Sequence, residues 1–261
     1  VSRRSGGISE AFKACFHKQY DYINALDDIS FTIDDGEMVG YIGPNGAGKS
    51  STIKVMSGIL TPDKGNCVIN GRVPWKERSA HVSEIGVVFG QRSQLWWDVP
   101  VIDSFELLRD IYRIPHQTYK RNLNELSDLL NLDQIITTPT RQLSLGQRMR
   151  CEIAASLLHS PKILFLDEPT TFLDINHQLE ILEVIKKLKK MGKTIVMVLH
   201  DLNSALSCSD RVCLMEKGEI VVCDTPQVVF ESGEIDRIFK VSSAQVFIGN
   251  EGIKQYVFYL R

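Results

Sequence analysis

One stretch restricts the possible folds more than any other part of the sequence. GPNGAGKSS (43–51) follows the apolar run MVGYI and matches the pattern G-x-x-x-x-G-K-[ST]. Glycines let the backbone wrap so that several N–H groups converge on phosphate oxygens, and the helix that follows adds its positive N-terminal end. The stretch therefore predicts a strand, a phosphate-binding loop and a helix, in that order.

We expect the whole loop to contact a nucleotide. Lys49 supplies a positive charge for the β- and γ-phosphates, and the Ser50 hydroxyl offers a ligand to Mg²⁺. The residues concerned are Gly43, Pro44, Asn45, Gly46, Ala47, Gly48, Lys49, Ser50 and Ser51. The alternative is an incidental glycine-rich turn, which the strand before it and the helix after it argue against.

A second apolar run, ILFL (163–166), is followed directly by Asp167 and Glu168. Ligands of open α/β sheets bind at the carboxyl ends of the strands. Asp167 suits the Mg²⁺ shell, and Glu168 is placed to orient or deprotonate an attacking water as a general base. The alternative, an acidic pair that only caps the next turn, is weakened by the phosphate loop upstream.

Between these motifs lies QLSLGQRMR (142–150). Ser144 can cap a helix whose first turns contain Gly146 and Gln147, which gives a second helix N-terminus open to an anion. Taken alone, a serine-capped helix is a common structural feature. Together with the other two motifs it becomes informative.

The remaining pattern predicts an α/β core interrupted by a helical lobe of roughly 60 residues. Strand-like runs are ISFTI, MVGYIG, NCVING and IGVVFG within 25–90, with one helix at about 48–59. Residues 101–158 have helical patterns, and 163–223 return to strand–helix–strand order. The near-continuous apolar runs ILFL and TIVMVL predict a parallel sheet that is buried on both faces.

Composition excludes several classes of protein. The chain has 261 residues and a formal net charge of −2, so it lacks the basic character of nucleic-acid binders, and we expect no nucleic-acid partner. No apolar run approaches the ~20 residues that span a bilayer, so we expect any membrane role to depend on a partner. The six cysteines contain no C-x-x-C pair, and we expect reduced thiols in a cytosolic protein.

The three motifs, in this order, resemble those of the ATP-binding cassette (ABC) ATPases over roughly residues 20–225. The resemblance implies a P-loop NTPase (RecA-like) α/β core with an antiparallel β subdomain and an inserted α-helical subdomain. It also implies ATP as substrate, Mg²⁺ as cofactor and a head-to-tail dimer. In such a dimer each ATP lies between the phosphate loop of one chain and the LSLGQ signature of the other.

The resemblance assigns further roles, residue by residue. Tyr20 would stack on adenine, with Tyr22 as the alternative. Gln91 would sense Mg²⁺ and the attacking water, with Gln94 as the alternative because of an extra-looking GQ after VVF. The signature residues that would bind the partner's ATP are Ser144, Leu145, Gly146 and Gln147. Asp174 would cross the dimer interface, and His200 would contact the γ-phosphate.

Two positions depart from the family pattern. Leu145 replaces the usual second glycine of the signature, and Phe172 fills a position before the Leu-Asp turn that is often glycine. Gly146, the glycine nearest the phosphate, is present, so we expect ATP binding to persist. Phe172 is expected to alter the contact across the dimer.

We expect three regions: an amphipathic segment (1–20), an ABC ATPase domain (21–225, with the helical subdomain at about 95–158) and a small appendix (226–261). Because the chain starts with Val1 and stops on the strand-like YVFYLR, we expect it to be a fragment of a longer polypeptide, with the appendix truncated. The amphipathic helix at 8–16 is expected to pack on the domain's own strands; contact with lipid headgroups or a permease is the alternative.

The function implied is the ATPase subunit of a transporter at the cytoplasmic face of a membrane, working with permease subunits. GVVFGQRSQLWWD most resembles ATPases paired with ABC-2-type export permeases, so we expect export; import is the alternative. A DNA-repair ATPase would carry a long coiled coil, yet only 53 positions separate Gln91 from Ser144. A translation factor of this family would carry two cassettes, and this chain has one.

Two adjacent tryptophans, Trp96 and Trp97, follow the glutamine loop. In the family this is the groove where a permease helix docks. We expect one indole to pack into the helical lobe while the other faces the partner, since tryptophan is enriched at interface hot spots. The alternative is that both are buried where the core meets the lobe.

Overall fold

The computed structural model describes residues 24–90, 92–248 and 253–260. Eight strands lie within these ranges: β1 (Met38–Ile42), β2 (Ile85–Phe89), β3 (Ile163–Asp167), β4 (Thr194–Val198), β5 (Arg211–Glu216), β6 (Glu219–Asp224), β7 (Val241–Ile248) and β8 (Ile253–Leu260). The helices are α1 (Lys49–Met56), α2 (Arg78–Val82), α3 (Val101–Ile111), α4 (His116–Leu130), α5 (Leu145–Leu157), α6 (Ile175–Lys190), α7 (Leu202–Cys208), α8 (Pro226–Glu231) and α9 (Glu234–Phe239), with a 3-10 turn at Thr140–Gln142.

Six strands form one sheet in the order β2-β3-β4-β1-β5-β6. The neighbours from β2 to β5 run parallel, and β6 returns antiparallel to β5. Parallel neighbours need crossover connections, which the intervening helices supply. This order places the carboxyl ends of β2, β3, β4 and β1 side by side.

Successive residues of the central strands pack into two different cores. In β1, Met38 and Ile42 point into a core that α5 and α6 also fill, whereas Val39 and Tyr41 point into a second core with α1. All five residues of β1 and of β4 are buried. The prediction of a parallel sheet buried on both faces is therefore confirmed.

Helices α3, α4 and α5 fill the chain between β2 and β3, where the sequence predicts helix. Their apolar sides meet in the larger core, in which Phe105 and Leu130 are fully buried. The buried Asn122 of α4 donates to Leu158 O (2.8 Å) and Ser160 Oγ (2.9 Å). Because an unpaired buried amide is costly, these bonds hold α4 against the end of α5.

The predicted strand ISFTI (29–33) is not formed. The segment is extended without strand pairing, and its apolar side chains pack on the sheet. The Phe31 ring meets Tyr41 edge-on at a centroid distance of 5.8 Å. One of its carbonyls, Thr32 O, accepts from the Arg211 guanidinium (2.9 Å). The alternating pattern thus indicates that one side of this segment is buried. It does not indicate that the segment pairs with a neighbouring strand.

The predicted strand NCVING (66–71) is a turn instead. Asn70 and Gly71 both have positive φ, 49° and 74°, and the flanking Ile69 and Arg72 exchange two backbone hydrogen bonds of 2.8 and 2.9 Å. Asn-Gly favours this two-residue hairpin turn, because both residues tolerate left-handed backbone. The pairing extends to a single bridge.

Two of the cysteines are joined. Cys213 of β5 and Cys223 of β6 lie directly opposite each other and form a disulfide. The expectation that every cysteine is a reduced thiol is therefore wrong for this pair. Cys67, Cys151 and Cys208 are free thiols.

The residues after 225 form two short helices and a hairpin. β7 and β8 pair antiparallel as a separate sheet. The hairpin is fixed to the main body through Tyr256, which is buried against Phe230 (4.8 Å between centroids) and whose N–H donates to Asn203 Oδ1 (3.1 Å). The tail therefore packs on α7 and α8.

Some predictions concern residues outside the described ranges. These are the helix at 8–16, the adenine-stacking candidates Tyr20 and Tyr22, and Gln91. Among the residues that the structure does describe, no helix is both long and apolar enough to cross a membrane.

Candidate active site

The predicted phosphate loop, acidic pair and histidine all follow strands that are neighbours in the sheet. Gly43 follows β1, Asp167 ends β3 and His200 follows β4. Because these strands are parallel and adjacent, their carboxyl ends meet at one edge. The sheet order thus assembles residues that are far apart in the sequence.

Backbone shape explains two glycines of the loop. Gly43 has φ 147°, and a Cβ there would lie 2.2 Å from Met215 O. Gly48 has φ 103°, and a Cβ there would lie 2.8 Å from Ala25 O. Both positions therefore require glycine for the fold of the loop, whatever ligand it holds.

Lys49, the first residue of α1, is buried and bends back over the loop. Its Nζ donates to Gly43 O (2.6 Å) and Pro44 O (3.0 Å). Burial lowers the pKa of Lys49, and the nearby carboxylates of Glu168 and Asp167 oppose that shift. The ammonium group is thus held at the loop, close to the end of β3, with neutral carbonyls as its hydrogen-bond partners.

Ser50 and Asp167 form the oxygen pair that the sequence predicts for Mg²⁺. Ser50 Oγ donates to Asp167 Oδ1 at 2.9 Å. Burial raises the pKa of Asp167, the hydrogen bond from Ser50 lowers it, and the charge of Glu168 raises it further. A hydroxyl beside a carboxylate is a hard-oxygen donor set of the kind that Mg²⁺ takes together with phosphate oxygens, so the residues present fit this ion.

Glu168 and His200 face each other across the neighbouring ends of β3 and β4. Glu168 Oε1 lies 2.8 Å from His200 Nε2. Glu168 has φ 59°, an uncommon left-handed backbone for a residue with a side chain. The geometry brings the proposed base and the proposed γ-phosphate sensor together, one residue beyond the Ser50–Asp167 pair.

The segment that enters the glutamine loop passes directly beneath Glu168. Gly90 N–H donates to Asp167 O (2.8 Å), and a Cβ on Gly90 would lie 2.5 Å from Glu168 O. Gln94, the alternative to Gln91, instead donates through Nε2 to Val87 O (3.3 Å). The side chain of Gln94 is therefore turned toward β2 and away from the Glu168–His200 pair.

The predicted signature begins α5 with a complete capping box. Gln147 N–H donates to Ser144 Oγ (3.2 Å), and Ser144 N–H donates to Gln147 Oε1 (2.9 Å). Leu145, at the position of the usual glycine, is half-buried and packs against the larger core. The helix start is therefore formed without a glycine at 145.

Gly146 contacts the helix that follows the acidic pair. A Cβ on Gly146 would lie 2.4 Å from Cδ2 of the His177 ring. His177 is itself placed by Asp174, whose Oδ1 accepts from His177 N–H (2.9 Å) and caps α6. Asp174 and the signature are thus linked within one chain through His177.

Phe172 projects into solvent just before Asp174. Its side chain is 80% exposed, and its φ of 65° is left-handed. Glycine adopts this backbone without strain, which accounts for the frequent glycine at this position in the related pattern. Ile175, close by in the chain, is also exposed.

Both tryptophans are exposed, so neither prediction for their burial is correct. Trp96 and Trp97 expose 59% and 52% of their surface. The backbone beneath them is fixed on both sides: Trp96 N–H donates to Ser104 Oγ (3.0 Å), and Trp97 O accepts from Arg141 N–H (3.0 Å). Hydrogen bonds thus hold the backbone on both sides while the indoles face solvent, and tryptophan is among the residues enriched at interface hot spots.

Three residues of this region are missed by sequence reasoning. Gly90 and His177 act by close approach, which no local pattern reveals. Glu152, a buried carboxylate on α5, does have a signal, because it is the one acid in the apolar run CEIAASLL. Such an acid needs partners, which it finds in the segment before the tryptophans.

The phosphate loop, the hydroxyl–carboxylate pair and the sheet order define a P-loop ATPase. The family model for ABC transporter matches residues 26–171, more than half of the chain. The chain therefore belongs to this family as an ATP-binding subunit of ABC transporters, and it is an ATPase.

Individual relatives agree with this. The petrobactin import ATP-binding protein FpuC of Bacillus anthracis is 34% identical, over 87% of this chain and 85% of its own. The linearmycin resistance ATP-binding protein LnrL of Bacillus subtilis is 31% identical, over 80% of this chain and 67% of its own. A dimeric structure of the cassette MJ0796, in a post-hydrolysis state bound to ADP and Pi, aligns with a TM-score of 0.71 and 28% identity, covering 80% of this chain and 94% of that one.

Proposed function

We propose that this chain powers export through separate permease subunits, as one half of a homodimer at the cytoplasmic face of a membrane. The observation that carries the ATP-hydrolysing part of the proposal is the carboxyl edge of the sheet, where Lys49, the Ser50–Asp167 pair and the Glu168–His200 pair meet. These are the charges and donors that phosphoryl transfer to water requires.

Each residue of the edge has a distinct role in the proposal. The loop N–H groups and Lys49 hold the β- and γ-phosphates. Ser50 and Asp167 would hold Mg²⁺, which would offset the negative charge of the phosphates. The resemblance to ABC ATPases would add Gln91 to the same shell and place Tyr20 on the adenine; both residues lie outside the described ranges.

The proton of the attacking water goes to Glu168. Glu168 Oε1 lies 2.8 Å from His200 Nε2. When the γ-phosphate arrives, His200 turns to it as a donor, and the freed carboxylate oxygen accepts from water. In the proposal, Glu168 and His200 thus give up their contact with each other, and Glu168 contacts the water while His200 contacts the γ-phosphate.

The second copy supplies what one chain lacks. The start of α5 presents a capped helix N-terminus, which favours anions. It lies in the helical insertion between β2 and β3. In the proposed head-to-tail dimer it completes the ATP site of the opposite chain. Asp174, at the start of α6 and linked to Gly146 through His177, lies at the crossing point.

The permease is proposed to dock on the exposed tryptophans. Two indoles on a fixed backbone offer a large apolar contact with little side-chain entropy to lose. Export is supported by the resemblance of GVVFGQRSQLWWD to exporter ATPases and by the resistance protein LnrL. Import, supported by FpuC, is the alternative; a substrate-binding protein encoded beside the permease genes would favour it.

Glu168→Gln tests the catalytic assignment. Because the amide cannot accept the water proton, we expect ATP turnover to fall by about a hundredfold or more. Phosphate contacts remain, so the ATP-driven dimer should persist and accumulate. Steady-state phosphate release and light scattering with Mg²⁺-ATP measure the two effects.

The matched control is Glu106→Gln, an exposed carboxylate of α3. Its turnover should stay within about twofold of the parent, as is usual for surface changes. A Glu168→Gln chain that hydrolyses ATP at the parental rate would exclude Glu168 as the base. A chain that never dimerises with ATP would exclude the shared site.

Trp96→Ala and Trp97→Ala test the docking surface. Truncating an anchor residue typically costs 2 kcal/mol or more of binding, so we expect affinity for the co-purified permease to fall about thirtyfold for at least one of them. The ATPase of the isolated chain should change by less than about twofold, since both indoles are exposed. Trp75→Phe, outside this loop, serves as the control. Unchanged permease affinity in both alanine variants would rule out this surface.

A further inference from the structure

The segment that carries the tryptophans is fastened to the signature helix at one buried group. Ser93 Oγ donates to Glu152 Oε1, and Gln94 N–H donates to Glu152 Oε2 (3.2 Å). Glu152 lies on α5, two turns after the signature, and is only 4% exposed. Leu95, the next residue of the segment, is buried in the larger core.

A second contact joins the same two elements. The Arg148 guanidinium lies 5.7 Å from the ring centroid of Trp97. Arg148 and Glu152 are four residues apart on α5 and therefore share one face of the helix. We call residues 93–97 the tryptophan segment. This face of α5 contacts the segment at both ends, through Ser93 and Gln94 at the start and Trp97 at the end.

The carboxylate at this position is costly unless it is paired. Burial raises the pKa of Glu152, and the hydrogen bonds from Ser93 and Gln94 oppose that rise. An apolar residue would fill this part of the core without the desolvation cost of a carboxylate. Packing of the core therefore does not explain a carboxylate at this position. The two hydrogen-bond donors of the tryptophan segment do explain it.

We propose that Glu152 is a positioning residue that makes the tryptophan segment and the signature helix move as one unit. A displacement at the exposed indoles then reaches Ser144 and Gly146, two turns away on the same helix. The inference rests on the proposed function, because it assumes that the signature binds ATP across a dimer. Since coupling between sites is reciprocal, closure on ATP must also restrain the tryptophan segment.

Hydrogen exchange measures that restraint directly. In the Glu168→Gln chain, Mg²⁺-ATP should slow amide exchange in a peptide covering 144–150 and in one covering 93–98. Adding Glu152→Gln places an NH₂ group opposite one of the two donors. We expect the ATP-dependent protection of 93–98 to fall at least about fivefold, while that of 144–150 and the dimer itself persist.

Ser93→Ala serves as the milder second variant, since it removes one donor without altering α5, and it should act in the same direction. Glu125→Gln, an exposed carboxylate on α4, is the matched control and should leave both peptides unchanged. A residue that only stabilises the fold would lower the melting temperature and leave the ATP-dependent protection of 93–98 intact.

The outcomes separate the two proposals. Protection of 93–98 that is equal with and without Glu152→Gln overturns the positioning role, and so does its absence in the parent when 144–150 is protected. A parent that shows neither dimer nor protection at 144–150 overturns the proposed function and this inference with it.

Discussion

At the carboxyl edge of the sheet, ionisable side chains are held by hydrogen bonds and contacts to other groups, whereas two neutral side chains cap the start of α5. Lys49 donates to loop carbonyls, Ser50 to Asp167, and Glu168 contacts His200. The signature instead closes on itself through Ser144 and Gln147. Both ends are proposed to hold the same triphosphate, yet they are built in opposite ways.

The difference has a mechanical consequence. If the edge holds ATP as proposed, contacts to the nucleotide replace some of the contacts that Lys49, Asp167 and Glu168 make with other protein groups. At the signature, the N–H groups of Ser144 and Gln147 are already bonded in the capping box. The attraction for an anion that remains there includes the dipole of the helix, which is fixed once α5 forms. Under the proposed function, the edge binds the nucleotide first, and the signature approaches once the γ-phosphate is in place.

The largest expected effect lies at the edge. Lys49→Ala removes the ammonium group that bends over the loop and leaves Asp167 and Glu168 without this nearby positive charge. Loss of a charge that stabilises the transition state is expected to lower kcat/KM about a thousandfold, or about 4 kcal/mol. Steady-state ATPase assays measure this.

Lys64→Ala, in an exposed loop, is the control and should stay within about twofold of the parent. If kcat/KM of Lys49→Ala stays within about tenfold of the parent, the charge of Lys49 contributes little to the transition state. The comparison between the sheet edge and the signature would then have no basis in charge.

The edge was predictable because each of its motifs follows an apolar strand. The runs MVGYI, ILFL and TIVMVL each predict a strand, and the residues that follow each run are the functional ones. Because the strands are parallel, their carboxyl ends meet at one edge of the sheet. The two cores also follow from near-continuous apolar strands. What alternation could not separate was a strand from an extended segment that merely packs on a sheet, as at 29–33.

Contacts between distant segments could not be predicted. The exposure of both tryptophans depends on Ser104 and Arg141, which fix their backbone from two other elements. Likewise, His177 is unremarkable in the sequence, and its ring reaches Gly146 only because α6 packs on α5. Such contacts depend on how the elements pack in three dimensions. A periodic sequence pattern predicts that a residue is buried, but not which residue it contacts.

The second prediction concerns the far end of the signature helix, where a neutral histidine holds the lobe to the core. His159 stacks on Tyr112 at 3.9 Å and bonds to Ile85 O (2.9 Å), and burial lowers its pKa to about 4. Because the unfolded chain takes the proton near pH 6.5, the free energy of unfolding should fall by about 3 kcal/mol as the pH falls from 6.5 to 4. Above pH 6.5 this contribution should be constant.

The measurement is urea unfolding as a function of pH for the parent and His159→Gln, with the exposed His116→Gln as control. His159→Gln should remove most of the loss below pH 6.5, and His116→Gln should keep it. If the parent and His159→Gln lose stability in parallel as the pH falls, packing at the far end of α5 does not depend on a neutral imidazole. The difference between ionisable and neutral groups would then hold only between the sheet edge and the start of α5.

The smallest effect is expected at the signature, where the geometry offers two reasons for a glycine at 146. One is the ring of His177, which a Cβ would approach to 2.4 Å; the other is the proposed approach of the partner's ATP. Gly146→Ala should lower kcat/KM by about tenfold, or about 1.4 kcal/mol, for either reason. The single variant therefore cannot separate them.

Gly146→Ala combined with His177→Ala does separate them. Truncating the ring removes the clash within the chain, so the double variant should regain the unfolding midpoint of His177→Ala alone. If the glycine also admits nucleotide, kcat/KM should stay about tenfold below that of His177→Ala. Full recovery of activity would mean that Gly146 serves only the packing of α6 on α5, and the signature would then hold the γ-phosphate without a close-approach glycine.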